Sequence, residues 1–438
     1  MASSSQFVPV VKSELDFFKP KAVQTSQIGY ETISLKPVNS VGPTSTRIEF
    51  FHPGKGSDFF RNLSRTYFYF KFKVTTKADA ATTADKYSFI NYLGQTLIQS
   101  VEVQLNGTTI TRNSDNYAYR SFVEALLTSD KMDADCHLAS GGFGIDSGAD
   151  ISKYVAANTS LKERGNLIQD KQEVEFISRL HGDIFNSHLY LPNGIDLAIN
   201  LNLNGPAFVL MADDAQQDPP DAVFKLTDCT LFTEICHINP AVLAGQARAF
   251  QEHNAIIPLQ HVEVQAITAA KGQRFVSLDN VFSGRLPSLI LIGIVDNGAF
   301  AGDMKANPLC FKHYDVTDLT ISVNGTQHRI GPLDFNTNLN VMGYHQLLKA
   351  TGLLGQSESP IISLDRYRHG YCLFAVDLSA EGSSTAIGTH SSLTPVGNIR
   401  IEATFKTSLA GTVTFVIYSL REGGVVEIDK NRSVYVSL

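Results

Sequence analysis

A short segment that ends in Asn-Gly occurs twice in this chain, and it constrains the fold more than any other feature. The first copy, VEVQLNGT, spans residues 101–108, and the second, LTISVNGT, spans residues 319–326. In both copies apolar and polar residues alternate, as in a strand with one buried face. Asn-Gly then favours a type I′ hairpin turn, because both residues tolerate a positive φ.

The two turns begin at Asn106 and Asn324, so that almost half of the 438-residue chain separates them. A helical pattern of apolar residues follows each turn at a similar distance. Its leucine is Leu126 after the first turn and Leu347 after the second, at nearly the same offset from the turn asparagine. The repeat is therefore longer than the turn itself, and we interpret the chain as two tandem copies of one fold.

The remaining pattern predicts strands rather than helices. Each half contains about eight short strand patterns, which is the number of strands in a jelly roll. The helical patterns are too few for alternating βαβ units. We therefore predict an all-β protein made of two tandem eight-stranded antiparallel jelly rolls, with a few short helices.

The predicted division of the chain depends on one helical segment near its middle. Asn239 is a favourable N-cap, and Pro240 occupies the first helical position. The predicted parts are an N-terminal arm (1–45), a first jelly roll (46–238), a linker helix (239–253) and a second jelly roll (254–438). Two interpretations of the arm stay open: a partly disordered terminus, or an arm that becomes ordered on a neighbouring subunit.

Three further segments carry structural expectations. The run LILIGIV at Leu289–Val295 is apolar on both faces, so we expect it to be buried on both sides or to lie at a subunit contact. Residues 130–160 and 379–392 have little pattern, and we expect them to form exposed loops.

Composition excludes several classes of function. The net charge is −7 and the Lys and Arg residues are scattered, whereas binding to phosphate backbones needs clustered basic residues. Only 18% of the residues are charged, below the usual share of about 25%, which favours a surface partly covered by other protein. We predict no sequence-specific nucleic-acid binding.

The chain also lacks the sequence features of secreted or membrane proteins. The N-terminus has no basic segment followed by an apolar core, and the longest apolar-rich run, residues 286–295, is shorter than the ~20 residues of a membrane span. The five cysteines are odd in number and sparse, so we predict buried thiols rather than a disulfide framework. We therefore expect synthesis in the cytosol, without a signal peptide.

We considered three groups of side chains as candidate sites and assigned none of them. Their members are His181, Asp183 and His188 for a metal; Cys229, Cys236 and His237 for a second metal site; and Asp213, Asp214, Asp218 and Asp221 for acid–base work or Ca²⁺. The spacing of seven residues between the histidines does not place them on one face of a strand. The odd separation of the two cysteines places them on opposite faces of a strand, and the aspartates form a solvated loop. We predict no catalytic, cofactor-binding or metal-binding residues, and no enzyme activity.

Several longer strings resemble one family. Residues 286–325 are similar to a stretch of the double-jelly-roll major capsid proteins of Polinton/Maverick elements and of adintovirus-like and virophage-like DNA viruses. Further similar strings are residues 91–107, 119–127, 370–378 and 426–432. The resemblance covers residues from about 46 to the C-terminus, without the arm or the 130–160 segment.

The resemblance implies a major capsid protein. Three chains would form a pseudo-hexameric capsomer, and capsomers would tile an icosahedral shell around double-stranded DNA. The implied partners are other copies of the chain, neighbouring capsomers, and penton and minor capsid proteins, and the implied location is the virion. The alternatives are a penton or minor capsid protein, which would more often have a single jelly roll, a domesticated capsid-like protein, and a carbohydrate-binding β-sandwich, which the absence of Trp disfavours.

Overall fold

The computed structural model describes most of the chain. The described residues are 13–15, 17, 22–42, 45–54, 58–83, 85–111, 115–148, 150–155, 157–216, 220–337, 340–355, 360–382, 384 and 395–437.

Antiparallel strands dominate the described residues. In chain order they are β1 (Gln27–Leu35), β2 (Arg47–His52), β3 (Phe59–Thr76), β4 (Tyr87–Phe89), β5 (Ile98–Leu105), β6 (Thr108–Thr109), β7 (Val174–Arg179), β8 (Leu197–Leu203), β9 (Leu210–Ala212), β10 (Ala222–Ile238), β11 (Ala255–Ala269), β12 (Phe275–Arg285), β13 (Leu289–Asp296), β14 (Val316–Val323), β15 (Thr326–Ile330), β16 (Leu373–Asp377), β17 (Val396–Phe405), β18 (Val413–Ile428) and β19 (Val434–Ser437).

Short helices lie between the strands. They are α1 (Leu93–Thr96), α2 (Tyr117–Thr128), α3 (Lys131–Asp135), α4 (Thr159–Ile168), α5 (Pro206–Val209), α6 (Pro240–Glu252), α7 (Asn297–Ala301), α8 (Val341–Ala350) and α9 (Leu364–Arg368). In the described parts of the chain, none of these helices has the length and apolar character required to cross a membrane.

The two halves have the same strand order. In the first half the two large sheets run β1-β10-β3-β7 and β2-β8-β5-β6, and in the second half they run β11-β18-β13-β16 and β12-β17-β14-β15. When the strands are counted within each half, without β4, β9 and β19, both halves therefore read 1-8-3-6 and 2-7-4-5. This is the order of a jelly roll, and the predicted fold of two tandem antiparallel jelly rolls is confirmed.

The repeated Asn-Gly segments form equivalent hairpin turns. One turn joins β5 to β6 and the other joins β14 to β15. Asn106 and Gly107 have φ values of 48° and 78°, and Asn324 and Gly325 have φ values of 48° and 90°. Positive φ at both central residues is the conformation of the type I′ turn that the sequence predicts.

The side chains of the two turn asparagines repeat a further contact. The Oδ1 atom of Asn106 accepts a hydrogen bond from the backbone N–H of Asp196 at 2.7 Å, just before β8. The Nδ2 group of Asn324 donates to the backbone oxygen of Val396 at 3.1 Å, at the start of β17. Each asparagine therefore ties its hairpin to the neighbouring strand of the same sheet.

The predicted arm is too long at its C-terminal end. Strand β1 lies inside residues 1–45, and it pairs with β10 from Gln27 to Leu35 as the first strand of the first jelly roll. Its residues are half-buried or exposed, so the sequence carries no clean apolar alternation that would mark a strand. Most of residues 1–21 lies outside the described residues, and the two interpretations of that part stay predictions.

Helix α6 occupies the range predicted for the linker. The Asn239 side chain accepts a hydrogen bond from the backbone N–H of Ala241 at 3.0 Å, and Pro240 begins the helix. The helix has no fully buried residue, as expected of a connection on the surface.

The expectation that residues 130–160 form an exposed loop is wrong in part. This segment contains α3 and the start of α4, and it buries Leu138, Phe143 and Ile151 in the core. These apolar residues are too irregularly spaced to show a period. Most of the second expected loop, 379–392, lies outside the described residues.

Candidate functional site: the contact between the two jelly rolls

Helix α2 of the first jelly roll lies between the two halves of the chain. Nine of its twelve residues are buried, so it is enclosed on nearly all sides rather than on one stripe. The Tyr119 ring stacks on Phe300 of the second half at a centroid distance of 5.6 Å. The Phe122 ring lies 6.4 Å from Phe311 and 6.3 Å from Tyr371. Aromatic contacts of this kind supply apolar area across the contact.

The second half meets α2 with the outer face of its sheet β11-β18-β13-β16. Leu289 and Leu291 of β13 lie beside Tyr418 and Leu420 of β18 in the paired register, and all four are buried. Together with Val262 of β11, they line the cleft that faces α2. Strand β13 is therefore buried on both faces, as the apolar run at Leu289–Val295 predicts.

A buried arginine lies at the centre of this contact. The Nε group of Arg120, on α2, donates to the Oε1 atom of Glu124 at 2.9 Å. Its Nη2 atom lies 2.8 Å from the Oδ1 atom of Asp183. Arg120 is 9% exposed and Asp183 is 6% exposed, so the charges have little access to water and depend on one another.

Two histidines extend the charged cluster. The Nδ1 atom of His261, on β11, lies 2.7 Å from the Oδ2 atom of Asp183. The backbone N–H of Val262 donates to the Oδ1 atom of Asp183 at 3.2 Å. Asp183 belongs to the first half, so this carboxylate joins Arg120 to an edge strand of the second half. The Nδ1 atom of His181 lies 2.6 Å from the Oε2 atom of Glu124.

The surroundings of these carboxylates keep them charged. Burial would by itself raise the pKa of Glu124, but the Arg120 guanidinium and the hydrogen bond with His181 outweigh it and lower the pKa to about 2. Burial opposes ionisation of Asp183 in the same way, and Arg120 and His261 lower its pKa below the ordinary value. Burial would lower the pKa of Arg120, but the two carboxylates outweigh it and raise that pKa. Arg120, Glu124 and Asp183 are thus ionised at neutral pH.

The candidate metal residues from the sequence do not come together. His181 faces Glu124, and Asp183 faces Arg120 and His261. His188 lines the cleft beside α2. Within the described residues, no group of three or more His, Cys, Asp or Glu side chains is arranged to hold a metal ion.

The cysteines mostly lie where the sequence predicts. Cys229 belongs to the main core, and Cys236 belongs to a small separate cluster with Phe60 and Ile238, so they lie in different environments. Burial raises the pKa of the Cys229 thiol to about 12. The prediction of buried thiols is wrong for Cys136, which is exposed directly after α3.

The three aspartates of the acidic segment that the structure describes have separate surroundings. The Nζ atom of Lys153 lies 3.0 Å from the Oδ2 atom of Asp214. The Tyr87 hydroxyl donates to the Oδ1 atom of Asp221 at 2.6 Å. Asp213 is half-buried, and Asp218 lies outside the described residues.

Sequence reasoning missed Arg120, Glu124 and His261. The apolar positions of α2 alone are enough to predict a helix, and they do not point to its charged residues. Arg120 and Glu124 stand four residues apart inside that apolar pattern, and a charged pair at this spacing on an enclosed helix was the available signal. Nothing in the local sequence of Asp183 or His261 marks them as partners.

Comparison with known proteins establishes the fold. The chain is similar to a protein of the Sputnik virophage, from its cryo-EM structure, with a TM-score of 0.63 and 10% identity over 100% of this chain and 95% of that chain. It is similar to the mavirus major capsid protein, with a TM-score of 0.53 and 11% identity over 100% and 97%. For the Faustovirus major capsid protein the TM-score is 0.56, with 9% identity over 95% and 92%.

The chain therefore has the double-jelly-roll fold of these capsid proteins, and the resemblance seen in the sequence is confirmed for the fold. No protein-family model matches the chain. A relative by sequence is the Caenorhabditis elegans uncharacterised protein F54H12.2, with 25% identity over 352 residues, which are 74% of this chain and 78% of the relative.

Replacing Arg120 should weaken the contact between the halves strongly. Arg120→Met leaves Glu124 and Asp183 buried without their cation, and breaking a buried pair in this way costs about 3–5 kcal/mol. The free energy of unfolding in urea measures the loss. Arg329→Met is the matched control, because Arg329 pairs with Asp318 at the surface, where such pairs contribute about 0–1 kcal/mol. If both variants lost the same free energy of unfolding, Arg120 would not have the stabilising role assigned to it at this contact.

Acid should weaken the same contact. Glu124 and Asp183 have lowered pKa values in the folded chain, so their contribution to stability is complete above the ordinary carboxyl pKa of about 4 and is lost as the pH falls through the folded values. The free energy of unfolding should decrease between about pH 5 and about pH 2. Glu124→Gln should be less stable at neutral pH and should lose less over this interval. If the free energy of unfolding fell equally with pH in the wild-type chain and in Glu124→Gln, the carboxylate of Glu124 would not be responsible for the loss.

Proposed function

We propose that the chain is a major capsid protein, which forms a homotrimeric, pseudo-hexameric capsomer and tiles an icosahedral shell around double-stranded DNA. The observation that carries the proposal is the repeated strand order, 1-8-3-6 and 2-7-4-5, in both halves of one chain. The likeness to the mavirus and Faustovirus major capsid proteins over nearly the whole chain supports it.

The doubled fold suits a hexagonal tile. Three copies in a closed ring have cyclic symmetry, and two similar halves in each copy give six similar edges. Each tile can then meet six neighbours through repeated side contacts. The buried charged contact between the halves supports this role, because it holds the two edges of one chain in a defined relative orientation.

The role we propose is structural rather than enzymatic. The partners are further copies of the chain, neighbouring capsomers, and penton and minor capsid proteins at other positions of the shell. The location is the virion, after synthesis in the cytosol. For the division of the chain, we propose an arm over residues 1–26, jelly rolls over 27–238 and 254–438, and the linker helix between them.

A penton or minor capsid protein is the competing assignment. Such a protein would more often carry one jelly roll and form pentamers. The second jelly roll, with its own hairpin at Asn324-Gly325, favours the major capsid protein.

The mass of the particle in solution tests this proposal. The chain has a mass of 47.9 kDa, so light scattering coupled to size exclusion should give three times the mass of the single chain. At higher concentration or ionic strength, larger assemblies should follow. A strict monomer under all these conditions, or a pentamer, would overturn the proposal.

A further inference from the structure

The two halves have equivalent sheets whose outer faces differ in how far they are exposed to solvent. In the second half, the outer face of the sheet β11-β18-β13-β16 is covered by α2, and Val262, Tyr418 and Leu420 are 5%, 8% and 8% exposed. In the first half, the equivalent sheet is β1-β10-β3-β7. The same chain therefore allows the covered face of the second half to be compared with the equivalent face of the first half.

The outer face of the first-half sheet carries an apolar patch, which we call the aromatic patch: Tyr67, Tyr69, Ile177 and Phe232. Tyr67 pairs with Phe232 across β3 and β10, and Tyr69 pairs with Ile177 across β3 and β7. The Tyr69 and Phe232 rings lie 6.2 Å apart. Tyr67 and Ile177 are each 37% exposed, so the patch is contiguous and open to solvent.

Ion pairs border the aromatic patch on one side. The Nζ atom of Lys36 lies 3.2 Å from the Oδ1 atom of Asp228, and the Nζ atom of Lys71 lies 3.7 Å from the Oε2 atom of Glu175. An apolar centre with a polar, solvent-accessible border is the usual composition of a protein contact surface. Because the border is polar, the aromatic patch is the part of this surface whose burial would be most favourable in free energy.

Helix α8 is the second-half counterpart of α2 in chain order. Each follows the hairpin of its jelly roll and precedes the sixth strand, β7 or β16. Whereas α2 is enclosed, α8 buries only Gly343, Leu347 and Ala350 among its residues. Its first turn exposes two large apolar side chains, Val341 at 50% and Met342 at 70%.

We infer that the second half of one copy, through α8, covers the aromatic patch on the first half of the next copy. This contact between chains is equivalent to the contact within one chain, in which α2 packs on the outer face of the second-half sheet. It is head-to-tail, and a threefold rotation repeats it into a closed ring of three copies. This inference rests on the proposed function, since it assigns the surface by which the capsomer forms.

Three double variants of the full chain test the inference. The patch variant is Tyr67→Glu with Ile177→Glu, and the helix variant is Val341→Glu with Met342→Glu. The control is Phe275→Glu with Val396→Glu, two residues of the other second-half sheet that are 54% and 75% exposed. In light scattering, the patch and helix variants should each have the monomer mass, while the control keeps the mass of the wild-type oligomer.

Mixing the variants tests the head-to-tail geometry. The patch variant keeps an intact α8, and the helix variant keeps an intact aromatic patch. An equal mixture should therefore form heterodimers through the one intact junction and should not form trimers. If the helix variant remains trimeric while the patch variant is monomeric, the patch pairs with another surface and the inference is wrong. The inference is also overturned if both variants remain trimeric.

Two further measurements keep these outcomes interpretable. Circular dichroism and thermal unfolding check that each variant folds, and Tyr67→Ser with Ile177→Ser replaces the patch variant if the glutamates unfold it. A wild-type trimer with trimeric patch and helix variants refutes the inference and leaves the proposed function intact. A monomeric wild-type chain refutes both.

Discussion

The burial of Arg120 is the interaction on which the arrangement of the two jelly rolls depends. A guanidinium removed from water requires carboxylate partners, and it finds one on its own helix and one in the segment that reaches the second half. The aromatic contacts of α2 contribute apolar area but tolerate small rotations. The charged cluster is directional, because Asp183 also accepts hydrogen bonds from β11. A different relative orientation would leave buried charges without partners.

A defined orientation is what the proposed function requires of a chain with two similar domains. Interfaces between domains of one chain often permit movement. In a tile, such movement would change the angle between neighbouring edges and weaken contacts that must form together. Enclosing α2 on nearly all sides makes the buried apolar residues of both halves one continuous cluster, so the two jelly rolls share a core.

The sequence predicts the parts of this structure that are coded locally. Asn106-Gly107 and Asn324-Gly325 specify turns because few other pairs adopt positive φ, and the enclosed strand at Leu289–Val295 is visible as a continuous apolar run. Strand β1 escaped prediction because backbone pairing with β10, rather than apolar alternation, holds it in place. Arg120, Asp183 and His261 are distant in sequence and are joined only by the packing of one domain on the other. A local sequence pattern cannot predict a contact that depends on how the two domains pack together.

In the proposed capsomer, each chain supplies two equivalent edges in a fixed orientation. Negative-stain electron microscopy of the purified oligomer tests it most directly, because class averages show the symmetry and the number of lobes. We expect a hexagonal outline of six similar lobes with threefold symmetry, two lobes from each chain. Pentagonal particles, or separate two-lobed particles with a variable angle between the lobes, would contradict it.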